Sequence, residues 1–546
     1  MSRLPALLFL ATAAPVLAQT APAISVDTLR SVTRELSSDA YEGRAPTTPA
    51  EAKTVAYIIE RFKAAGLQPG NAGGWTQDVP MVELTAQAVR PLTFTGGRAP
   101  VTMAYRTDMV AATYRVTPSI AVADSPVVFV GYGITAPEQR WDDYAGVDVR
   151  GKTVVILVND ADWRTPASGT RAGPFEGRAM TWYGRWPYKF ENAAKHGAAA
   201  AIIVHDTEPA AYPWAVVQSS WTGPQYELDE TGGHLDQSQV IGWMQLAKAK
   251  ELFASAGQDF DRLSTAAAQR GFKAVPLGVA MSTGFTNAVR RSMSKNVIGV
   301  LPGTSTPQDT VLYTAHWDHL GRCDAVDGDD ICNGALDNAS GVAGLVALAE
   351  AHAKAGPAQR SIAFLAVTAE ESGLLGSRYY AEHPVFPLAR TVGGVNMDVL
   401  NVAGRARDFV LTGAGKSEIE DLARPFILAQ DRVVGAEPNP ERGGYYRSDH
   451  FSFARLGVPM LDGGSGQDLR VGGIAAGHAA AEDYTAHRYH KPQDEYDPGW
   501  DWTGAVEDLR IYYGLGRKLA DTPGLWPNWY PTAEFRGVRD RSRAER

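Results

Sequence analysis

The chain has 546 residues, 45% hydrophobic and 21% charged, a composition typical of folded proteins and a length that accommodates roughly two or three domains. Its 61 acidic and 52 basic residues leave a net charge of −9, so no bulk positive field draws it to nucleic acid or to an anionic membrane surface. With only two cysteines, a disulfide framework and a cysteine-rich zinc module are excluded, and any metal must be held by histidine and carboxylate.

Met1-Ser2-Arg3 precedes an apolar run from Leu4 to Leu17 and a small-residue cleavage site at Ala18, the pattern of a secretory leader over residues 1–18. A membrane anchor is the alternative, but the run falls short of the roughly 20 apolar residues needed to span hydrocarbon. The mature chain is therefore expected in a periplasm or the medium, free of the membrane, with its charge at −10 once Arg3 is removed.

Residues 26 to 67 are predicted to be helical. Thr48-Pro49-Ala50-Glu51 reads as a capping box, and Val55, Ile58, Ile59 and Phe62 follow at helical spacing until Gly66. From about 95 to 285 short β-rich runs such as Val154 to Val158 alternate with turns, which predicts a separate, mainly β domain over 96–285. Beyond it, apolar strands at Val311 to Ala315, Ile362 to Val367 and Val392 to Met397 alternate with helices such as Gly341 to Lys354. That alternation predicts an α/β fold with a mixed, mostly parallel sheet flanked by helices, built from 19–95 and 286–546. Trp526, Trp529 and Phe535 in the tail are expected to pack back on the body, and Arg539 to Arg546 to fray.

In such a sheet, ligands gather at the carboxyl ends of the strands. The first strand is followed by His316-Trp317-Asp318-His319, a glycine-rich loop by Asp337-Asn338-Ala339-Ser340-Gly341, the next strand by Glu370-Glu371 and the third by Asp398, with His490 in a late Tyr-His-Lys-Pro loop. Singly, each has an ordinary alternative: a surface histidine, a helix cap, a solvated acidic pair. Together, three carboxylates and two imidazoles without a thiolate suit divalent ions such as zinc.

In these residues the chain resembles the M28 family of zinc peptidases, whose members share H-x-D, D-N-x-S-G, E-E, N-x-D and Y-H-x-P. The resemblance extends over about 25–540. It implies a zinc exopeptidase fold with two zinc ions, one held by His316 and Asp398, one by Glu371 and His490, with Asp337 bridging. It further implies Glu370 as general base, Asp318 as an outer carboxylate orienting His316, and Tyr489 as an oxyanion donor, for which packing beside His490 is the alternative. Glu370 and Glu371 can serve one site only if their strand has ended, which Ser372-Gly373 permits. His319, His450 and His478 are lesser candidates. Tyr183-Gly184-Arg185-Trp186 resembles part of the protease-associated domain inserted in some members.

Cys323 and Cys332 flank four aspartates in the loop between His316 and Asp337; a disulfide is expected in an oxidising compartment, with a calcium site on those aspartates as the alternative. Trp182, Tyr183, Trp186, Tyr188, Trp214 and Trp221, with Arg171, Arg178 and Arg185, form either a core and interface or a wall over the metal site.

The resemblance leads to an exported exopeptidase acting on peptides, foremost an aminopeptidase. A carboxypeptidase related to glutamate carboxypeptidase, a glutaminyl cyclase and a receptor on a peptidase scaffold remain as rivals.

Overall fold

The computed structural model describes residues 22–165 and 173–544, so the leader at 1–18, Arg171 and the last two residues of the tail lie outside them. Helix α1 (Val26–Leu36) starts where Ser25 Oγ accepts the Thr28 N–H, and it buries Leu29, Val32 and Leu36. Helix α2 (Pro49–Ala64) opens on a proline whose missing N–H would have had no helical partner, and buries Val55, Ile58 and Phe62. No capping box forms there. The Thr48 hydroxyl donates backwards to the Ala45 carbonyl at 2.7 Å, and the Glu51 carboxylate accepts from Thr47 N at 2.6 Å and Ser294 Oγ at 3.0 Å.

The chain then lays down β1 (Thr76–Gln87), β2 (Ser119–Phe129), β3 (Thr153–Leu157), helix α3 (Trp186–Lys195), β4 (Ala200–His205), β5 (Val240–Gln245) and the 27-residue β6 (Val275–Leu301). After it come β7 (Thr306–His316), helix α4 (Gly341–Lys354), β8 (Arg360–Val367), β9 (Thr391–Asn396) and β10 (Met460–Leu461). One continuous sheet runs β10-β9-β7-β8-β6-β2-β3-β4-β5. The blocks β10-β9-β7-β8 and β2-β3-β4-β5 are each parallel, and β6 runs antiparallel to both of its neighbours, β8 and β2. β6 therefore passes from one block to the other, and β1 pairs with its exposed middle through residues 286–297.

Every residue of β8 and β9 is buried, as expected for parallel strands covered on both faces. Helix α4 covers one side, with Val342, Leu345, Val346 and Ala349 fully buried, and shares a core with α1, α2 and helix α5 (Thr503–Asp521). Helices also cover the outer block, namely α3, Leu246–Ser255 and Phe260–Ala267.

The tail departs from the expected fraying. Trp529 and Phe535 pack at 5.0 Å within the outer block's core, and helix α6 (Arg536–Ala544) buries Arg539, which donates to the Thr391 and Val392 carbonyls at 3.0 Å. Those donors meet carbonyls at the start of β9, so a charged residue becomes an anchor. Among the described residues no helix is long and apolar enough to cross a membrane.

Candidate metal centre

His316 is the last residue of β7 and is 1% exposed. Its Nδ1–H donates to the Asp318 carbonyl at 3.2 Å, which leaves the Nε2 lone pair facing Asp337 Oδ1 at 3.4 Å and Asp398 Oδ1 at 3.3 Å. Asp398 follows the end of β9, and its Oδ2 accepts from the Ser448 hydroxyl at 2.8 Å. Asp337 sits in the irregular turn Ala335–Ser340 ahead of α4, with φ −104° and ψ 95°. Its second oxygen faces the other way, 3.4 Å from His490 Nε2.

Glu370 and Glu371 lie beyond the end of β8, where Ala369 at φ +53° turns the backbone out of strand geometry, so neither is bound by strand alternation. Glu371 places Oε2 3.1 Å from His490 Nε2 and Oε1 2.7 Å from His319 Nδ1. Two groups of potential ligand atoms result, each within 4.8 Å: His316, Asp337 and Asp398, and His319, Asp337 and Glu371. Asp337 belongs to both.

The carboxylate of Asp318 serves the loop more than the imidazole. It lies 3.7 Å from His316 Nδ1, while accepting the backbone N–H groups of Glu370 at 3.1 Å and Glu371 at 3.4 Å. Tyr489 stacks on His490 with ring centroids 3.9 Å apart. Burial and the charge of Asp337 push its phenol above the ordinary range, so it stays a donor. His319 is drawn in more closely than its residue type suggested, and its buried Nε2 has no hydrogen-bond partner among the described residues. His450 is buried 3.7 Å from Asp462, and His478 is exposed beside Glu482.

The electrostatics separate the two glutamates. Burial raises the pKa of Glu370 well above the carboxylate range, with His316 opposing. Glu371 is buried too, but His490 and His319 overcome burial and the adjacent Asp337 charge, bringing it down to about 2. Burial works against the charge of His490, yet Glu371 and Asp337 override it and lift its pKa to about 10. Such opposed shifts in one pocket are the mark of a functional site.

Two further residues hold the loops and carried no motif of their own. Asp494 accepts the backbone N–H groups of Leu336 and Asp337, both at 3.1 Å. Arg44, fully buried, donates to the carbonyls of Trp317 at 2.9 Å, Leu36 at 2.7 Å, Asn333 at 2.6 Å and Gly334 at 2.8 Å, tying the His316 loop to the Asp337 loop. Cys323 and Cys332 form a disulfide across the hairpin between those loops, with Cα atoms 5.9 Å apart. Within it Asp330 pairs with Arg322 at 2.7 Å, and Asp329 accepts the Ile331 N–H.

The metal centre opens into a cleft of about 1640 Å³ whose far wall includes Trp182, Arg185, Trp186 and Trp221. Residues 296–513 match the model of peptidase family M28. This region is an M28 peptidase domain. The chain's sequence is also similar to aminopeptidase YwaD of Bacillus subtilis, 33% identical over 176 residues, which is 32% of this chain and 35% of the relative. The match thus spans about a third of that relative's length. An aminopeptidase from Aneurinibacillus sp. strain AM-1 aligns over 92% of this chain and 95% of its own, at 22% identity and a TM-score of 0.50, a likeness of fold. All the ligand candidates of the M28 domain fall inside 296–513, whereas Arg44 and Arg185 lie outside it.

The donor set fits divalent zinc: imidazoles and carboxylates only, in two groups, with His316 Nε2 turned toward two carboxylates and one carboxylate shared.

Proposed function

We propose that the protein is an exported dinuclear zinc exopeptidase, an aminopeptidase that releases N-terminal residues from peptides. The observation that carries this reading is Asp337, whose two oxygens face His316 on one side and His490 on the other. In it His316 and Asp398 would hold one ion and Glu371 and His490 the other, with Asp337 available to both and His319 orienting Glu371. Zinc would supply a water acidified toward ~7 and a Lewis acid for the substrate carbonyl.

The chain's own residues do the rest. Glu370, buried and inclined to hold a proton, takes one from the attacking water and returns it to the leaving amine. Asp318 fixes the two glutamates through their backbone amides, and Tyr489 offers its O–H to the developing oxyanion. The region 96–285 acts as an inserted, protease-associated-like module whose aromatic wall encloses the substrate.

The test is mass-spectrometric analysis of a peptide pool with free and with acetylated N-termini, incubated with the zinc-replete mature enzyme and with Glu370→Ala. Loss of N-terminal residues from free peptides alone is expected. Trimming from the C-terminus regardless of acetylation would make it a carboxypeptidase instead.

A further inference from the structure

Among the described residues, three arginines that line the cleft, Arg185, Arg442 and Arg447, have no acidic side chain paired with them, and two of them, Arg185 and Arg447, sense one another's charge. Arg185, just ahead of α3, lines it from the outer wall, and its Nε is sealed from solvent without a hydrogen-bond partner among the described residues. Gly443 lies close against its stem, where a Cβ would meet the Arg185 Cδ at 3.2 Å, and burial together with the neighbouring charge of Arg447 lowers its pKa to about 10. Arg447 lines the cleft from the M28 domain, is exposed, and among the described residues makes only a backbone hydrogen bond, to the Gly444 carbonyl. It directly precedes Ser448, the residue that binds Asp398, and its charge reaches the Tyr489 phenol. The two guanidinium groups thus join the outer wall to the lip of the metal centre.

Arg455 and Arg378 of the same cleft are matched. Arg455 makes a two-pronged pair with Glu191 at 3.1 and 2.8 Å, and Arg378 pairs with Glu227. Glu191 and Glu227 are thus committed to those partners, while Arg185 and Arg447 repel one another. The start of α3 adds to this field: no side chain caps it, and Arg185, Trp186 and Pro187 all face the cleft, so the positive end of the helix dipole opens on the same space. A partly desolvated guanidinium beside a second one is costly until an anion bridges them, and a planar carboxylate matches that fork.

We propose that Arg185 and Arg447 form a carboxylate-binding subsite of the cleft, which selects peptides carrying a carboxylate within reach of the scissile bond. This rests on the peptidase reading, and within a peptide that carboxylate has two sources: the C-terminus of a short peptide or the side chain of an acidic residue.

The zinc-replete enzyme is assayed on Ala-Leu against its C-terminal amide, and on Ala-Glu-amide against Ala-Gln-amide. The carboxylate is expected to raise kcat/KM roughly 10- to 100-fold in one of the two pairs, mainly through KM, as for a charged hydrogen-bonded contact. The first pair identifies the terminal carboxylate, the second the side chain. In Arg447→Met, at an exposed position, and in Arg185→Met that ratio should fall toward one. Equal turnover within both pairs, or a preference that survives in both variants, overturns the subsite and leaves the peptidase reading standing. Failure to cleave any of the four peptides would overturn both.

Discussion

The carboxylate of Asp494 accepts the backbone N–H of Asp337 at 3.1 Å, from a position four residues after His490. One loop thus both supplies an imidazole to the centre and holds the shared carboxylate in place. Asp494→Ala would strand two buried N–H groups, each at a cost of about 1–3 kcal/mol. Zinc affinity, measured against a competing chelator, is expected to fall by roughly 10- to 100-fold, as for other partners behind metal ligands. Asp494→Asn, which keeps an acceptor oxygen, should recover part of it. Unchanged affinity in both variants would remove this role.

Glu370 and Asp337 should separate chemistry from metal holding. Glu370→Ala is expected to retain zinc while turnover drops by about 10² to 10⁴, the range for a positioned general base. Asp337→Ala should lose both ions. Metal content by mass spectrometry and initial rates read the two together; a Glu370→Ala enzyme with normal turnover would break the mechanism.

Zinc binding should release protons. Without metal, Glu371 and Asp337 overcome burial and keep His490 charged up to about 10, and an imidazolium cannot ligate. Affinity is therefore expected to rise with pH between about 6 and 9. Calorimetric titrations at pH 7.5 in buffers of different ionisation enthalpy should show heats that scale with that enthalpy. Buffer-independent heats would contradict it.

His352 should make the fold acid-sensitive at a point far from the chemistry. It is fully buried against Tyr313, and burial, then Arg517, lowers its pKa to about 3. Between that value and the unfolded value near 6.5 the unfolded chain binds the extra proton. Stability should therefore fall as pH drops through this window, by up to about 1.4 kcal/mol per unit. Urea midpoints from pH 7 to 4 should decline more gently in His352→Gln than in the parent; parallel declines would exclude this source.

Much of the centre was legible because strand ends announce themselves. His316, Asp337, Glu370 and Asp398 each follow an apolar run or open a helix, and in a parallel block the loops after successive strands meet at one edge. Arg44 was silent because four backbone carbonyls define its role, and carbonyls carry no side-chain signal. The capping box failed for a similar reason: Glu51 found a better partner in Ser294, 243 residues away.

By itself, then, the sequence determined the α/β order, the chemistry of the donor set and the M28 resemblance, since those depend on local apolar periodicity and on residue type. Only the tertiary structure decided that β6 runs through both blocks as one strand, that Arg539 anchors the tail, that His319 grips Glu371, and that Arg185 and Arg447 share a cleft. Each of these depends on partners distant in the chain, brought together by burial of apolar surface that says nothing locally about which polar groups will meet.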